Sequence, residues 1–272
     1  MNIWLWIVLV FIAFAALYLW LIAPSRKKMD TAALDGWLYA HRGLHDGNKA
    51  VPENSLAAFD AAAQNGYGME LDVQLTKDKK LVVFHDATLK RVCGVDKNIV
   101  DLTYEELRQI PLPDGTSVPL FREVLSLVNG RVPMIVEVKH YGNPKENARA
   151  AHEALLMYEG AYCVESFHPL AVRYFKTHAP AIVRGQLAEG GKWSRNKGLL
   201  AHFGMKFLLL NVISRPHFVA YSSAADHNLS MWLMKHAYKP KMAAWTIRSQ
   251  KALDEANEHY DYPIFELFTP NR

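Results

Sequence analysis

Four short stretches of the sequence hold residue types that do chemistry: His41-Arg42-Gly43, Glu70-x-Asp72, His85-Asp86 and Glu137-x-Lys139. Each lies in, or ends, an apolar run of strand-like length. In a strand, residues two apart share one face, so Glu70 and Asp72 point the same way, as do Glu137 and Lys139. Carboxylates brought inward from neighbouring strands are costly to bury unpaired. A cation between them removes that cost, and an all-oxygen donor set of Glu70, Asp72 and Glu137 selects one hard divalent ion, Mg²⁺ or Ca²⁺, over zinc. Such an ion beside Arg42, Lys139 and two histidines suits a phosphodiester. The positive groups would oppose phosphoryl charge as it grows in the transition state. His41 and His85 can divide proton removal from proton donation. Gly43 would let the backbone approach closely.

Taken singly, these motifs say little. A lone His is more often structural, Glu-x-Asp on a strand is usually a solvated face, and Glu-x-Lys is often a surface ion pair. Their conjunction, in order and each at a strand end, carries the argument.

Eight strands are predicted to position them: Leu38–Ala40, Met69–Leu75, Met134–Val138, Tyr162–Glu165, Ile182–Gln186, Phe207–Val212, Met242–Thr246 and Pro263–Glu266. Helical patterns lie between them. Ser55–Asn65 is Ala-rich, with Asn54 as its expected cap. Thr103–Gln109 opens on a capping-box pattern. Glu146–Tyr158, Pro169–His178, Leu229–Tyr238 and Ser249–His259 have apolar residues at helical spacing. Alternating strands and helices predict an α/β fold with a parallel sheet. The stretch from Trp37 to the end has the size of one eight-fold β/α barrel. The segment from Asn98 to Pro119 is long for a plain connection and predicts an extra helix or subdomain. Among the later strands, Glu165, Asn211 and Trp245 fall at predicted ends. Trp245 either packs against substrate at the mouth or fills the barrel.

The 31 Lys+Arg and 27 Asp+Glu all follow residue 25, since the first charge is Arg26. The 50% hydrophobic content is therefore inflated by the start of the chain. Apolar and aromatic content excludes intrinsic disorder. No second apolar run approaches the length of a membrane span, which excludes a polytopic membrane protein. Two cysteines in 272 residues argue against a disulfide scaffold. A net charge of +4 is too mild to argue for nucleic acid.

Ile3 to Ala23 carries no charge and is long enough to span a hydrocarbon core of about 30 Å. Trp4, Trp6, Tyr18 and Trp20 lie toward its two ends, where amphipathic rings favour the interface. The competing reading is a cleaved signal peptide. No basic region precedes the run and no clear small-x-small site follows it, so a single-pass anchor is expected. Arg26, Lys27 and Lys28 follow immediately and place the downstream domain on the cytoplasmic side by the positive-inside rule. The expected organisation is an anchor over residues 1–25, a linker over 26–36 and a barrel over 37–272. Its expected partners are the lipid bilayer and a small-molecule substrate, with no nucleic acid.

The stretches AHRG, PENSLAAF, ELDVQLTKD, VVFHDATLKRVCG, DLTYEEL, PLFREVL and IVEVK resemble the glycerophosphodiester phosphodiesterase family. The likeness runs from Trp37 to Pro270 and is densest from Tyr39 to Lys139. It implies a TIM (β/α)8 barrel, here preceded by one transmembrane helix. It also implies metal-dependent hydrolysis of glycerophosphodiesters to glycerol 3-phosphate and an alcohol. By motif, Glu70, Asp72 and Glu137 resemble the metal ligands, and His41 and His85 the acid/base pair. Arg42 and Lys139 resemble phosphate contacts, while Glu53 and Asn54 resemble residues that shape the site.

Departures from the family pattern lie around the mouth. The loop Leu44–Val51, with His45 and Asp46, is longer than in many relatives. The last strand reads PIFELFTP, where many members end Ile-Thr-Asp. Arg248 stands where Asn is common. Of the histidines outside the motifs, His168 merits a test. Two competing readings accompany the family's. One is a phospholipase of D type that uses the same site on a lysophospholipid. The other is a tethered binding protein without catalysis, against which the complete set of site residues argues.

Overall fold

Strands that are apolar on both faces must be covered on both. In the computed structural model, which describes residues 2–191 and 198–271, they close into a barrel. The strands are β1 (Tyr39–His41), β2 (Gly68–Leu75), β3 (Leu81–Val83), β4 (Met134–Val138), β5 (Tyr162–Ser166), β6 (Arg184–Ala188), β7 (Phe218–Ser222), β8 (Lys241–Ile247) and β9 (Tyr262–Phe265). Eight of these are parallel neighbours in a ring that β1 closes by pairing with both β9 and β2. β3 is the exception, an antiparallel hairpin partner on β2.

The helices are α1 (Ile3–Ile22), α2 (Leu56–Gln64), α3 (Lys90–Cys93), α4 (Tyr104–Arg108), α5 (Phe121–Val128), α6 (Pro144–Leu155), α7 (Pro169–His178), α8 (Leu199–Lys206), α9 (Asn211–Ser214), α10 (Leu229–Leu233) and α11 (Gln250–Asn257). A π-helical turn, Met234–Tyr238, continues α10. The Ser55 side chain, one residue past the expected Asn54, caps α2 by accepting from Ala58 N. Thr103 and Glu106 form the expected capping box on α4.

Two apolar layers hold the barrel. Tyr39, Ile135, Cys163, Phe218, Ala243 and Tyr262 fill its interior, with Leu34 joining them from the segment before β1. Met69, Leu71, Val136 and Val219 face the helices, from which Phe175 of α7 packs back onto them in the same layer. The excursion between β3 and α5 has its own small core of Phe84, Leu89, Ile99, Leu107 and Leu112, so it is a subdomain as expected.

The predicted strand Phe207–Val212 is not one. Residues 207–210 form a turn and Asn211 opens α9. The seventh barrel position is filled by Phe218–Ser222. Leu208 is buried in the outer apolar layer, Leu210 lies against Gly204 of α8, α9 packs on α1 and α7, and Asn211 Nδ2 donates to Ile22 O at 2.8 Å. Asn211 therefore has no place in the barrel mouth.

α1 is long and apolar enough to cross a membrane, with a mean hydropathy of 2.7. Only its last turns touch the barrel.

Candidate active site

Parallel register brings the chemistry-bearing residues side by side. His41 lies opposite Glu70, Asp72 opposite Glu137, and Glu137 opposite Glu165. All four carboxylates are buried. Burial together with mutual repulsion drives Glu70, Glu137 and Glu165 above the usual carboxylate range. Asp72 goes the other way despite its burial, because Lys139, His85 and Arg42 surround it.

Two cations sit among these acids. Lys139 Nζ is 2.7 Å from Glu137 Oε1 and 3.1 Å from Asp72 Oδ1. Arg42 Nε is 3.5 Å from Asp72 Oδ2, and its backbone N–H donates to Glu70 Oε2 at 3.1 Å. Even so, three of the four carboxyls remain pushed toward the neutral form. That excess of negative charge fits a divalent cation. Asp72, His85 and Glu137 have donor atoms within 4.8 Å of one another and can hold a metal ion. Glu70, expected as the third ligand, lies outside that trio, and His85 is inside it.

Glu53 ties two arginines together. Its carboxylate accepts from Arg42 Nη1 at 2.8 Å, from Asn48 Nδ2 at 2.9 Å, and from both terminal nitrogens of Arg91 at 2.6 and 2.7 Å. Arg91 Nε reaches on to Asp86 Oδ2 at 2.7 Å, and Asp86 Oδ1 lies 2.6 Å from His85 Nδ1. One continuous chain of charge-assisted bonds thus runs from Arg42 to His85. Asn54 fixes the next carboxylate, donating to Asp72 Oδ2 at 2.8 Å.

His41 is held from the other side. Its Nδ1 is 2.8 Å from Glu266 Oε1, while its Nε2 is 3.8 Å from Glu70 Oε2. Burial lowers its pKa to about 4 against the opposing pull of Glu266. Arg248 grips the second oxygen of Glu266 at 2.7 Å, and His45 Nε2 stands 3.5 Å from the first. The two departures noted in the last strands, Glu266 and Arg248, are therefore one contact.

Gly43 makes its close approach to α2, because a Cβ there would meet Ala58 at 2.8 Å. Asp46 orders its own loop by accepting from Lys49 N and Ala50 N. His168 caps α7, accepting from Leu170 N. Trp245 packs edge-on against Phe167 at 5.6 Å, and its buried Nε1 has no partner among the described residues. Sequence reasoning missed Arg91 and Glu266. Position at the C-terminal end of a barrel strand was the available signal for Glu266.

The likeness to known proteins agrees with this geometry. The profile of the glycerophosphoryl diester phosphodiesterase family matches residues 41–263. A glycerophosphodiester phosphodiesterase of Bacillus altitudinis is 34% identical over 159 residues, which cover 53% of this chain and 63% of that protein. The match thus spans less than two thirds of that relative. The lysophospholipase D GDPD1 of Rattus norvegicus is 37% identical over 118 residues, covering 38% of this chain and 36% of its own. A phosphodiesterase of Oleispira antarctica, solved in complex with the product sn-glycerol-3-phosphate, superposes with a TM-score of 0.70 at 22% identity. That superposition covers 86% of this chain and 94% of the other. On the family profile and the barrel it predicts, the chain belongs to the glycerophosphoryl diester phosphodiesterase family.

Proposed function

We propose that this chain is a membrane-anchored phosphoric diester hydrolase that cleaves glycerophosphodiesters to glycerol 3-phosphate and an alcohol. One observation carries the reading: His41, Arg42, Glu70, Asp72, His85, Glu137 and Lys139 converge at one end of a closed barrel.

Arg42 binds the phosphate, and the Lys139 charge adds to the positive potential around it. His41 is held neutral by burial and oriented through Nδ1 by Glu266, so its Nε2 is the free base. It takes the proton of the attacking hydroxyl as the new P–O bond forms. His85, oriented by Asp86, gives a proton to the leaving alcohol oxygen as the old P–O bond breaks. Either water or the substrate's 2-hydroxyl serves as nucleophile; the second route gives a cyclic phosphate that water then opens. A divalent cation, Mg²⁺ or Ca²⁺, held by Asp72 and Glu137 with Glu70 and His85 beside them, would withdraw charge from a phosphate oxygen. The unpartnered Trp245 N–H faces the same interior and suits a hydroxyl of the glycerol moiety.

In this reading α1 is a single-pass anchor for residues 1–25, and Arg26, Lys27 and Lys28 keep the barrel on the cytoplasmic side. A lysophospholipid is the second substrate reading, favoured by the exposed Leu229 and Trp232 on the helix that follows β7. The test is release of glycerol 3-phosphate from glycerophosphocholine, glycerophosphoethanolamine and lysophosphatidylcholine, with Mg²⁺ or Ca²⁺ and with chelator. No release from any of the three overturns the reading.

A further inference from the structure

We propose that α8 and α10 form a lipid-contacting rim, so that the barrel lies with its active-site end against the bilayer that α1 enters. The inference rests on reading α1 as a membrane span.

Direction comes from the docked end of α1. Tyr18 Oη is 2.6 Å from Ser230 Oγ, near the start of α10. One residue on, Leu19 O accepts from Tyr238 Oη, at the end of the π-helical turn. Trp20 O and Ala23 O accept from Arg215, and Ser25 N donates to Pro216 O just before β7. α1 therefore runs beside α10 in the same sense. α10 leaves the C-terminal end of β7 and returns to the start of β8, so the free part of α1 projects from the end of the barrel that holds the site.

Length then decides what must follow. With the docked turn removed, Ile3–Leu17 provides 15 residues, or about 22 Å at the helical rise. A hydrocarbon core is about 30 Å thick. The free part is too short to cross alone. The bilayer must reach down over the docked turn and over whatever flanks it.

What flanks it is apolar and uncovered. Leu199, Leu200 and Phe203 on α8 are 55%, 89% and 45% exposed, and Leu229 and Trp232 on α10 are 58% and 56% exposed. The two helices are tied together at Phe207 O, which accepts from Ser230 Oγ, the same hydroxyl that meets Tyr18. Both follow the C-terminal ends of barrel strands. Leu267, past the end of β9, is also 55% exposed at that end. Apolar side chains this exposed on two short helices beside a membrane span are suited to the acyl boundary. A diester headgroup in the adjacent leaflet would then lie in front of Arg42 and His41.

The test uses the full chain in vesicles of phosphatidylcholine and phosphatidylglycerol, with Cys93 replaced by Ser and Cys163, fully buried in the barrel, left in place. One accessible cysteine each at Phe11, Leu200, Leu229 and Leu156 carries a bimane label, and the chain with Cys93→Ser alone serves as the unlabelled control. Leu156 is an exposed apolar control at the far end of the barrel, where α6 finishes. Brominated acyl chains are expected to quench Phe11→Cys, Leu200→Cys and Leu229→Cys and to spare Leu156→Cys. Quenching at Phe11 alone overturns the rim and leaves the anchor. No quenching at Phe11 overturns the span and the rim with it. As a second measure, Leu200→Glu with Trp232→Glu should lower lysophosphatidylcholine turnover in vesicles by about tenfold or more, the scale of one buried leucine. Glycerophosphocholine turnover should be unchanged. Equal losses on both substrates overturn the proposal.

Discussion

His41 Nδ1 stands 2.8 Å from Glu266 Oε1, and the second oxygen of that carboxylate is held by Arg248. A carboxylate at this position fixes the imidazole tautomer with its proton on Nδ1 and leaves Nε2 free. Glu266 itself is held below the usual carboxylate range, burial notwithstanding, by its bond to His41 and by the nearby His45 and Arg248. The Glu266→Gln variant keeps an acceptor but removes the charge. We expect kcat to fall about 10- to 100-fold, the usual effect of removing an orienting partner, with KM little changed. The sign of the pH effect also follows. Glu266 favours the protonated ring, so its loss moves the His41 pKa below its value of about 4. The acidic limb of kcat/KM should shift to lower pH. A limb that stays in place would remove His41 as the group it reports.

Arg91 touches neither the carboxylate ring nor His41, yet it joins Glu53 to Asp86. Arg91→Ala should leave Arg42 and His85 in place as residues but loosen both. The expected loss is about 10- to 100-fold in kcat/KM. Arg91→Lys should restore only part, because a point charge cannot bridge two carboxylates with the planar fork of arginine. Full recovery with Lys would reduce the role of Arg91 to charge alone.

Glu53 gives an acid-stability prediction. Burial would raise its pKa, but Arg91, Arg42 and Asn48 together bring it down to about 2. A depressed carboxylate contributes stability above its unfolded pKa of about 4.3 and loses it as pH falls toward the folded value. Glu53→Gln should cost about 2 kcal/mol at pH 7, the scale of a broken partly buried pair. The gap to the parent should close between pH 4.3 and 2, measured by urea unfolding. A gap that is constant with pH would mean that the charge on Glu53 carries none of it.

Much of the site was legible because strand ends and period two locate it without tertiary knowledge. His41, Glu70, Asp72, Glu137 and Lys139 all lie at or near those ends. Glu266 ends the predicted strand Pro263–Glu266, but nothing local says that it faces His41, 225 positions away. Arg91 was hidden for a similar reason, since its partners are 5 and 38 residues away. In the fold, the run Phe207–Val212 outcompeted Phe218–Ser222 on apolarity alone. Periodicity cannot separate a buried turn from a buried strand over so few residues. What sets them apart is tertiary: Phe218–Ser222 pairs with β6 and β8, whereas Asn211 opens α9 and bonds to Ile22 O at the end of α1.

Gly43 tests the backbone. Its φ is +79°, and a Cβ would meet both backbone and side chain of Ala58 at 2.8 Å. Neither obstacle is the flexible end of a side chain, so the turn or α2 must move. Gly43→Ala should cost about 2 kcal/mol or more from strain and overpacking together. It should also lower activity, since Arg42 N, next in the chain, holds Glu70. An unchanged Tm would show that the turn can relax.

The crowded carboxylates make a prediction about ion binding that needs no turnover. Lys139 and Arg42 leave Glu70 and Glu137 above their usual range, so a divalent cation entering there displaces protons and relieves repulsion. Mg²⁺ or Ca²⁺ at about 100 times its Kd should stabilise the fold by about 2.7 kcal/mol, read as a rise in Tm. The two donor sets differ in which variant abolishes that rise. Asp72→Asn and Glu137→Gln should remove it under either. If the ion sits among Asp72, His85 and Glu137, then His85→Gln removes it and Glu70→Gln does not. If the three carboxylates hold it, the outcomes reverse. Because Glu70 accepts from Arg42 N, Glu70→Gln has a baseline cost of its own. The quantity that decides is therefore the ion-dependent change in Tm, with each variant as its own reference.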